Sequence, residues 1–452
     1  MSVTPRPAEY PHEPLPPRYD WDGFGFDTRQ VHAGERDEPG HGARITPVYL
    51  TAGYRFDSFA QAEARFTGAD EGHLYSRNLN PTHQVAEGRI ASLEGGTGAI
   101  VVGSGQAAIT AVLLGLAGAG ERIVSTASIY SGTRILFDRT FARLGVASDY
   151  VRDSRDEAEW ERTIGPDTRA IFVETIPNPK NDLVDVVAVA RIARRHGIPL
   201  VVDNTVATPY LIRPLELGAD VVIHSSTKFL SGHGAALSGA IVDGGRFDWA
   251  GSPRSFPGLT EPIAPGKPSF VDAYGHRALE AYLRFGIVND LGAALSPLNS
   301  FLLQQGIETL SLRMERHLAN AAAVAAWLDT HPAVESVDFA GLPGNPFHDI
   351  ARARFGGHAG SVFAFTVRGG RDGAEAFFDA LQVFSRMTNI GDVRSMALHP
   401  ATTTHVSFPA AERERLGIGD GLIRLSIGVE TAQDLIADLA QGLDAATRRV
   451  AR

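Results

Sequence analysis

The sequence predicts an α/β protein, with a mostly parallel sheet in a large domain and a smaller α+β domain at the C-terminal end. Three observations lead there. Short apolar runs recur between about residues 99 and 223 with helical text between them, the pattern of strands covered on both faces. Glycine or polar residues stand directly after those runs, at Gly103, Asp203 and Ser225, where open sheets of this kind bind ligands. After about Leu291 the pattern changes to long helix and then to shorter strands and helices.

The elements follow in order. Residues 1–27 hold several prolines and no apolar core segment, and read as a disordered arm rather than a signal peptide. Residues 28–74 form an N-terminal segment, irregular over 45–54. The large domain is expected over 75–298 and the C-terminal domain over 299–452. A helix is expected over 82–93, ending at Gly95-Gly96, and a strand over 99–102 that breaks at Gly103-Ser104-Gly105. A helix of small and apolar residues follows. Further strands are expected over 122–125, 170–174, 198–202 and 221–223, with a helix over 184–196. Residues 247–285 read as a Gly/Pro-rich surface segment around the site, and 291–328 as long helix. The uncharged stretch 98–120 is explained by strand, glycine turn and buried helix rather than by a membrane span.

Composition narrows the function. The chain has 452 residues, 44% hydrophobic and 21% charged, enough for two soluble domains. Its net charge is −10 and its arginines are scattered, so no basic stripe follows a phosphate backbone, which argues against nucleic acid. It has no cysteine, which removes disulfides, thiolate catalysis and Cys-type zinc sites, and fits a cytoplasmic location.

Lysine is the rare residue. Of 42 basic residues only Lys180, Lys228 and Lys267 are lysines. Arginine cannot lose its proton near neutral pH, whereas a desolvated lysine can serve as a nucleophilic amine. Lys180 and Lys267 sit in Pro-containing loops and read as surface residues. Lys228 follows a strand and is flanked by hydroxyls and glycines.

Four features converge on the same sheet edge. Gly103-Ser104-Gly105-Gln106 joins strand to helix, where backbone N–H groups can approach a phosphate. Ser225 and Thr227 add hydroxyl donors beside Lys228. Asp203 ends a buried strand and suits a protonated pyridine nitrogen. Tyr130 offers a flat face to a ring. Phosphate, pyridine, ring and an imine-forming amine are together the parts of pyridoxal 5'-phosphate. Singly, each signal is weak: such a turn is usually only a turn, and an Asp there is often a helix cap. The same turn also fits G-x-G-x-x-A, through Gly103, Gly105 and Ala108, as in an NAD-dependent dehydrogenase. That rival wants an acid ending the next strand, which instead ends in Ser125 and Thr126.

The stretch 220–234, DVVIHSSTKFLSGHG, resembles the lysine signature of the Cys/Met-metabolism family of pyridoxal-phosphate enzymes, the cystathionine γ-synthase and methionine γ-lyase group. Other matching pieces are Tyr75-Ser76-Arg77, Asn80-Pro81-Thr82, Leu93-Glu94-Gly95-Gly96, Asp203-Asn204-Thr205 and Arg424-Leu425-Ser426. Within the family the chain is most similar to the O-acetylhomoserine sulfhydrylase branch. The pointers are Ser104-Gly105-Gln106-Ala107-Ala108, the 247–285 insert, the text of 310–317, and Asn389-Ile390-Gly391-Asp392, where the lyases usually show Ser first. Two departures are the longer Pro-rich arm and Ala86, where the family usually has a larger apolar residue.

The resemblance implies a fold-type I transferase that replaces the γ-acetate of O-acetylhomoserine with sulfide or a thiol. It implies that Lys228 carries the cofactor and shuttles the proton. Asp203 would pair with the ring nitrogen, Tyr130 would stack on the ring, and Asn178 would approach its phenolic oxygen. Ser225, Thr227, Gly105 and Gln106 would bind the phosphate, with Thr205 also in the cofactor set. Tyr75 and Arg77 would reach the phosphate of a neighbouring subunit, contacted through 28–74, so the site needs at least a dimer; the family is usually tetrameric. Arg424 would clamp the substrate carboxylate, with Asn389 and Tyr75 also touching substrate. Without the resemblance, Arg424 reads as a surface ion pair on a strand. The near alternatives on this scaffold are O-succinylhomoserine sulfhydrylase, cystathionine γ-synthase and methionine γ-lyase; the last often has a cysteine near its site.

Overall fold

The structure is a computed structural model that describes residues 21, 23–36, 38, 40–70 and 72–451. The expected arm therefore lies almost wholly outside the described residues. The large sheet has seven strands: β1 (Gly98–Val102), β2 (Arg122–Thr126), β3 (Ala147–Val151), β4 (Thr168–Glu174), β5 (Leu200–Asp203), β6 (Val221–His224) and β7 (Gly239–Asp243). Their order is β1-β7-β6-β5-β4-β2-β3. The pairs β2–β3, β2–β4, β4–β5 and β5–β6 are parallel, and β7 runs antiparallel to both β1 and β6.

The uninterrupted apolar runs follow from burial on both faces. Val201, Val221 and Ile223 pack into one core with Ile109 and Val112 of the helix Gly105–Leu116. Leu200, Val202 and Val222 pack into the other, with Val189 and Ile192 of the helix Val186–His196. A slip of one residue would exchange the two sets, so register is tightly specified. Each such Val or Ile contributes about 1.5–3 kcal/mol by leaving water.

Two strands were not legible in the sequence. β3 (ASDYV) lies at the sheet edge, largely half-buried, and alternates too weakly to read. β7 is the exception to the parallel rule, because residues 225–238, which carry Lys228, turn the chain straight back beside β6. The expected helix over 291–328 is two helices, Pro297–Ile307 and Leu310–Asp329. At the break Arg313 donates to the Gly306 carbonyl at 2.7 Å, satisfying an end the first helix leaves open. The segment 247–285 is not a wall of the site. Its Trp249, Phe256, Leu259 and Leu279 are buried in the same core as Val201 and Val221, where ring contacts such as Phe247–Trp249 at 4.5 Å hold it. Most of its remaining residues are exposed, as a surface segment requires, so the segment is surface pinned by a few buried aromatic and aliphatic side chains.

The second sheet has five strands: β8 (Val334–Asp338), β9 (Val362–Val367), β10 (Ser385–Arg386), β11 (Met396–Leu398) and β12 (Leu422–Ser426), in the order β10-β11-β12-β9-β8. The helices Gly370–Ala380 and Ala432–Val450 cover it through Phe377, Leu439 and Leu443. β12 is central and wholly buried, and it delivers Arg424. Among the described residues no helix is long and apolar enough to cross a membrane.

Candidate active site

The carboxyl ends of β4, β5 and β6 and the start of the helix Gly105–Leu116 enclose a cavity of about 180 Å³. Among its lining residues are Gly105, Gln106, Tyr130, Asn178, Asp203, Thr205, Ser225, Thr227, Lys228 and Arg424. Close approach makes this possible. Gly105 lies against Ser225: a Cβ on Gly105 would sit 2.6 Å from the Cβ of Ser225. Ser104 caps the helix, its Oγ accepting from Ala107 N at 3.1 Å, so the first backbone N–H groups face the cavity end.

Lys228 Nζ donates to Asn389 Oδ1 at 2.5 Å. Burial, helped by the Arg424 guanidinium, pulls its amine down to about 8. Arg424 is buried, and burial lowers it to about 10. Its Nη2 donates to the carbonyls of Asn389 at 2.9 Å and Thr388 at 3.3 Å, and its Nη1 to Asn178 Oδ1 at 3.5 Å. Its Nε–H is buried with no acceptor. A guanidinium anchored on one side and unsatisfied on another has the chemistry to receive a carboxylate.

Asp203 Oδ1 accepts from Thr205 N at 2.9 Å and Thr205 Oγ1 at 2.5 Å, and Thr205 Oγ1 in turn accepts from Ser225 N at 2.8 Å. Burial pushes the Asp203 carboxyl up, and these donors restrain it. Beneath lies a fully buried pair: His224 Nε2 meets Glu94 Oε1 at 2.7 Å, and Asn204 Nδ2 donates to the same oxygen at 2.9 Å. This pair ties the ends of β5 and β6 together.

Not every expected residue faces inward in the same way. Thr227 lines the cavity, but its hydroxyl donates to the Ser238 carbonyl at 3.0 Å, leaving Ser225 as the freer hydroxyl. Asn389 meets Lys228 yet is not among the lining residues, whereas its neighbours Thr388 and Ile390 are. Tyr75 and Arg77 do not line the cavity; Arg77 stacks on the exposed Tyr75 ring, 5.5 Å from its centroid. Sequence reasoning missed Glu174, which ends β4 as Asp203 ends β5 and also lines the cavity. The signal was the same strand-end carboxylate. It also missed the apolar wall of Ile109, Ile176, Val206 and Leu237, which carries no local mark.

The model of the Cys/Met metabolism PLP-dependent enzyme family matches residues 27–444. The chain belongs to that family. An O-acetyl-L-homoserine sulfhydrylase of Corynebacterium glutamicum is 45% identical over 436 residues, covering 95% of this chain and 100% of that protein. An O-succinylhomoserine sulfhydrylase of Pseudomonas aeruginosa is 41% identical, covering 94% and 97%. Among solved structures, one described as an O-acetylhomoserine (thiol)-lyase of Campylobacter jejuni, carrying a pyridoxyl-lysine, superposes with a TM-score of 0.89 at 34% identity, covering 93% and 100%. As a member of this family, the protein uses pyridoxal phosphate. The residues present fit that group: a glycine cradle at a helix N-terminus, a buried lysine amine, a strand-end carboxylate and an aromatic side chain share one cavity.

Proposed function

We propose that the protein transfers the aminocarboxypropyl group of O-acetyl-L-homoserine to sulfide or a thiol, giving L-homocysteine or methionine and acetate. The observation that carries this is the placement of Lys228 in one cavity with Arg424 and Asp203, its amine held near neutrality by burial and by the arginine. Relatives of that activity support the choice of reaction.

Bound pyridoxal phosphate supplies an aldehyde to form an imine with an amine and a ring that accepts electrons from the substrate's α-carbon. Lys228 would hold that aldehyde at rest. Once freed, its neutral amine takes the proton from the substrate Cα, with Asn389 Oδ1 accepting one N–H and so aiming the lone pair. Arg424 fixes the substrate carboxylate through the donors its backbone contacts leave over. Asp203 would keep a proton on the ring nitrogen, Tyr130 would wall the ring, and Gly105, Gln106 and Ser225, which share the cavity, would hold the phosphate. In the net reaction the Cγ–O bond breaks, a Cγ–S bond forms, and acetate leaves.

The relatives of acetyl-ester activity support the acetyl over the succinyl ester. Steady-state assays with sulfide and either ester test this: turnover of the acetyl ester should exceed that of the succinyl ester, and the reverse order would reject the assignment.

The site is completed, in this reading, by a second copy. The helix Phe59–Thr67 buries none of its residues, its Phe59 and Phe66 are 87% and 77% exposed, and Tyr75 is exposed as well. Such an apolar surface calls for a partner. Assembly at least to a dimer, with a tetramer as the family resemblance implies, is read by light scattering; a monomer retaining full activity would refute it.

A further inference from the structure

The register of β4 against β5 sets Glu174 beside Asp203, and both side chains line the cavity. Neighbouring strands lie about 4.8 Å apart. Two acids at one level of the sheet, both out of water, cannot both carry charge without a large penalty. Where two such groups meet, their surroundings decide which one keeps the proton.

Those surroundings are unequal. Asp203 accepts two hydrogen bonds from Thr205, and His224 of the adjoining β6 also favours its anion. Glu174 accepts one hydrogen bond, from the backbone N–H of Tyr130 at 2.7 Å. The cavity's cations are engaged elsewhere: Lys228 with Asn389, and Arg424 with Thr388, Asn389 and Asn178. Burial, with Asp203 beside it, holds the Glu174 carboxyl well above the usual range.

We propose that Glu174 is the neutral acid of this pair and a positioning residue for Tyr130, holding that ring at the cavity wall through its backbone and leaving to Asp203 the only negative charge beside the cofactor ring. The division has a purpose. A second anion beside the ring would stabilise extra positive charge there and blunt its pull on electrons, whereas a neutral carbonyl still anchors Tyr130. The inference rests on the reading that the ring lies between Tyr130 and Asp203.

The test compares holoenzyme carrying Glu174→Gln or Glu174→Ala with the native protein. Glutamine keeps the acceptor, the size and the neutral charge; alanine leaves the Tyr130 N–H without its acceptor. Three readouts are taken: the infrared carbonyl stretch of protonated carboxyl groups, the pH midpoint of the visible cofactor band, and cofactor retention on dialysis. Glu174→Gln should delete one protonated-carboxyl band and hold the midpoint within about 0.3 pH units. Glu174→Ala should weaken cofactor retention by about tenfold, and glutamine should restore it. A midpoint moved by about a unit or more in Glu174→Gln, or no infrared band lost, means that Glu174 is ionised and overturns the proposal. Native-like retention in Glu174→Ala overturns the positioning role. If the alanine variant does not fold, the glutamine readouts decide alone. A native protein with no visible cofactor band would sink the underlying placement of the ring, a different failure from either of these.

Discussion

Replacing Arg424 probes the substrate end of the site most directly. In the structure its Nη2 is spent on the Asn389 and Thr388 carbonyls, while its Nε has no partner. A hydrogen bond to a charged group contributes about 1.5–3 kcal/mol. Arg424→Lys leaves one ammionium contact where a fork stood, a loss of about 2 kcal/mol and about 30-fold in kcat/KM. Arg424→Ala removes both, about 4 kcal/mol or ~10³-fold, expressed largely in KM. It also strips the Thr388 and Asn389 carbonyls of a donor, so Tm should fall. The assay is initial rate against homoserine ester concentration, well below the Tm of each variant, with the visible band monitored to show that cofactor remains. The carboxamide of the substrate closes the cycle: it should lose most of its rate with the native enzyme and little more with Arg424→Ala. Unchanged kcat/KM, or equal penalties for the carboxamide in both proteins, would refute the carboxylate role.

Lys228→Ala should abolish both turnover and the borohydride-fixed attachment of the cofactor; a variant that still fixes it would place the attachment elsewhere. In cofactor-free protein the Lys228 amine titrates near 8 when folded, against 10.5 as its ordinary value. The unfolded chain then binds more protons between those values, so stability should rise with pH across that window, with the penalty fully present below about 8. Urea unfolding of apoprotein should show this slope, and Lys228→Met should flatten it; an identical slope in both would reject the burial argument. Gly105→Ala should weaken cofactor binding, because the added Cβ would meet Ser225 at 2.6 Å and push the helix start from the phosphate position. Equal retention on dialysis would show that the cradle tolerates a side chain.

Much of this molecule is written locally. The apolar runs ending at Glu174, Asp203 and His224 became β4, β5 and β6 with ends displaced by a residue or two, because burial on both faces demands unbroken apolar text. The turn at Gly103 to Gln106 and the stretch around Lys228 were equally legible, since tight turns and helix starts depend on neighbouring residues. The edge strand β3 and the buried aromatics of 247–285 were not, because burial there comes from contacts with distant residues. Thus the sequence by itself determined the fold class, the lysine, the glycine cradle and the family. Only the tertiary structure decided that Asn389 and Arg424, both from the second domain, would face Lys228, and that Glu174 would lie beside Asp203. The physical reason is that hydrogen-bonded turns and apolar periodicity act over a few residues, whereas the charge a buried group carries depends on whichever strands the packing brings alongside it.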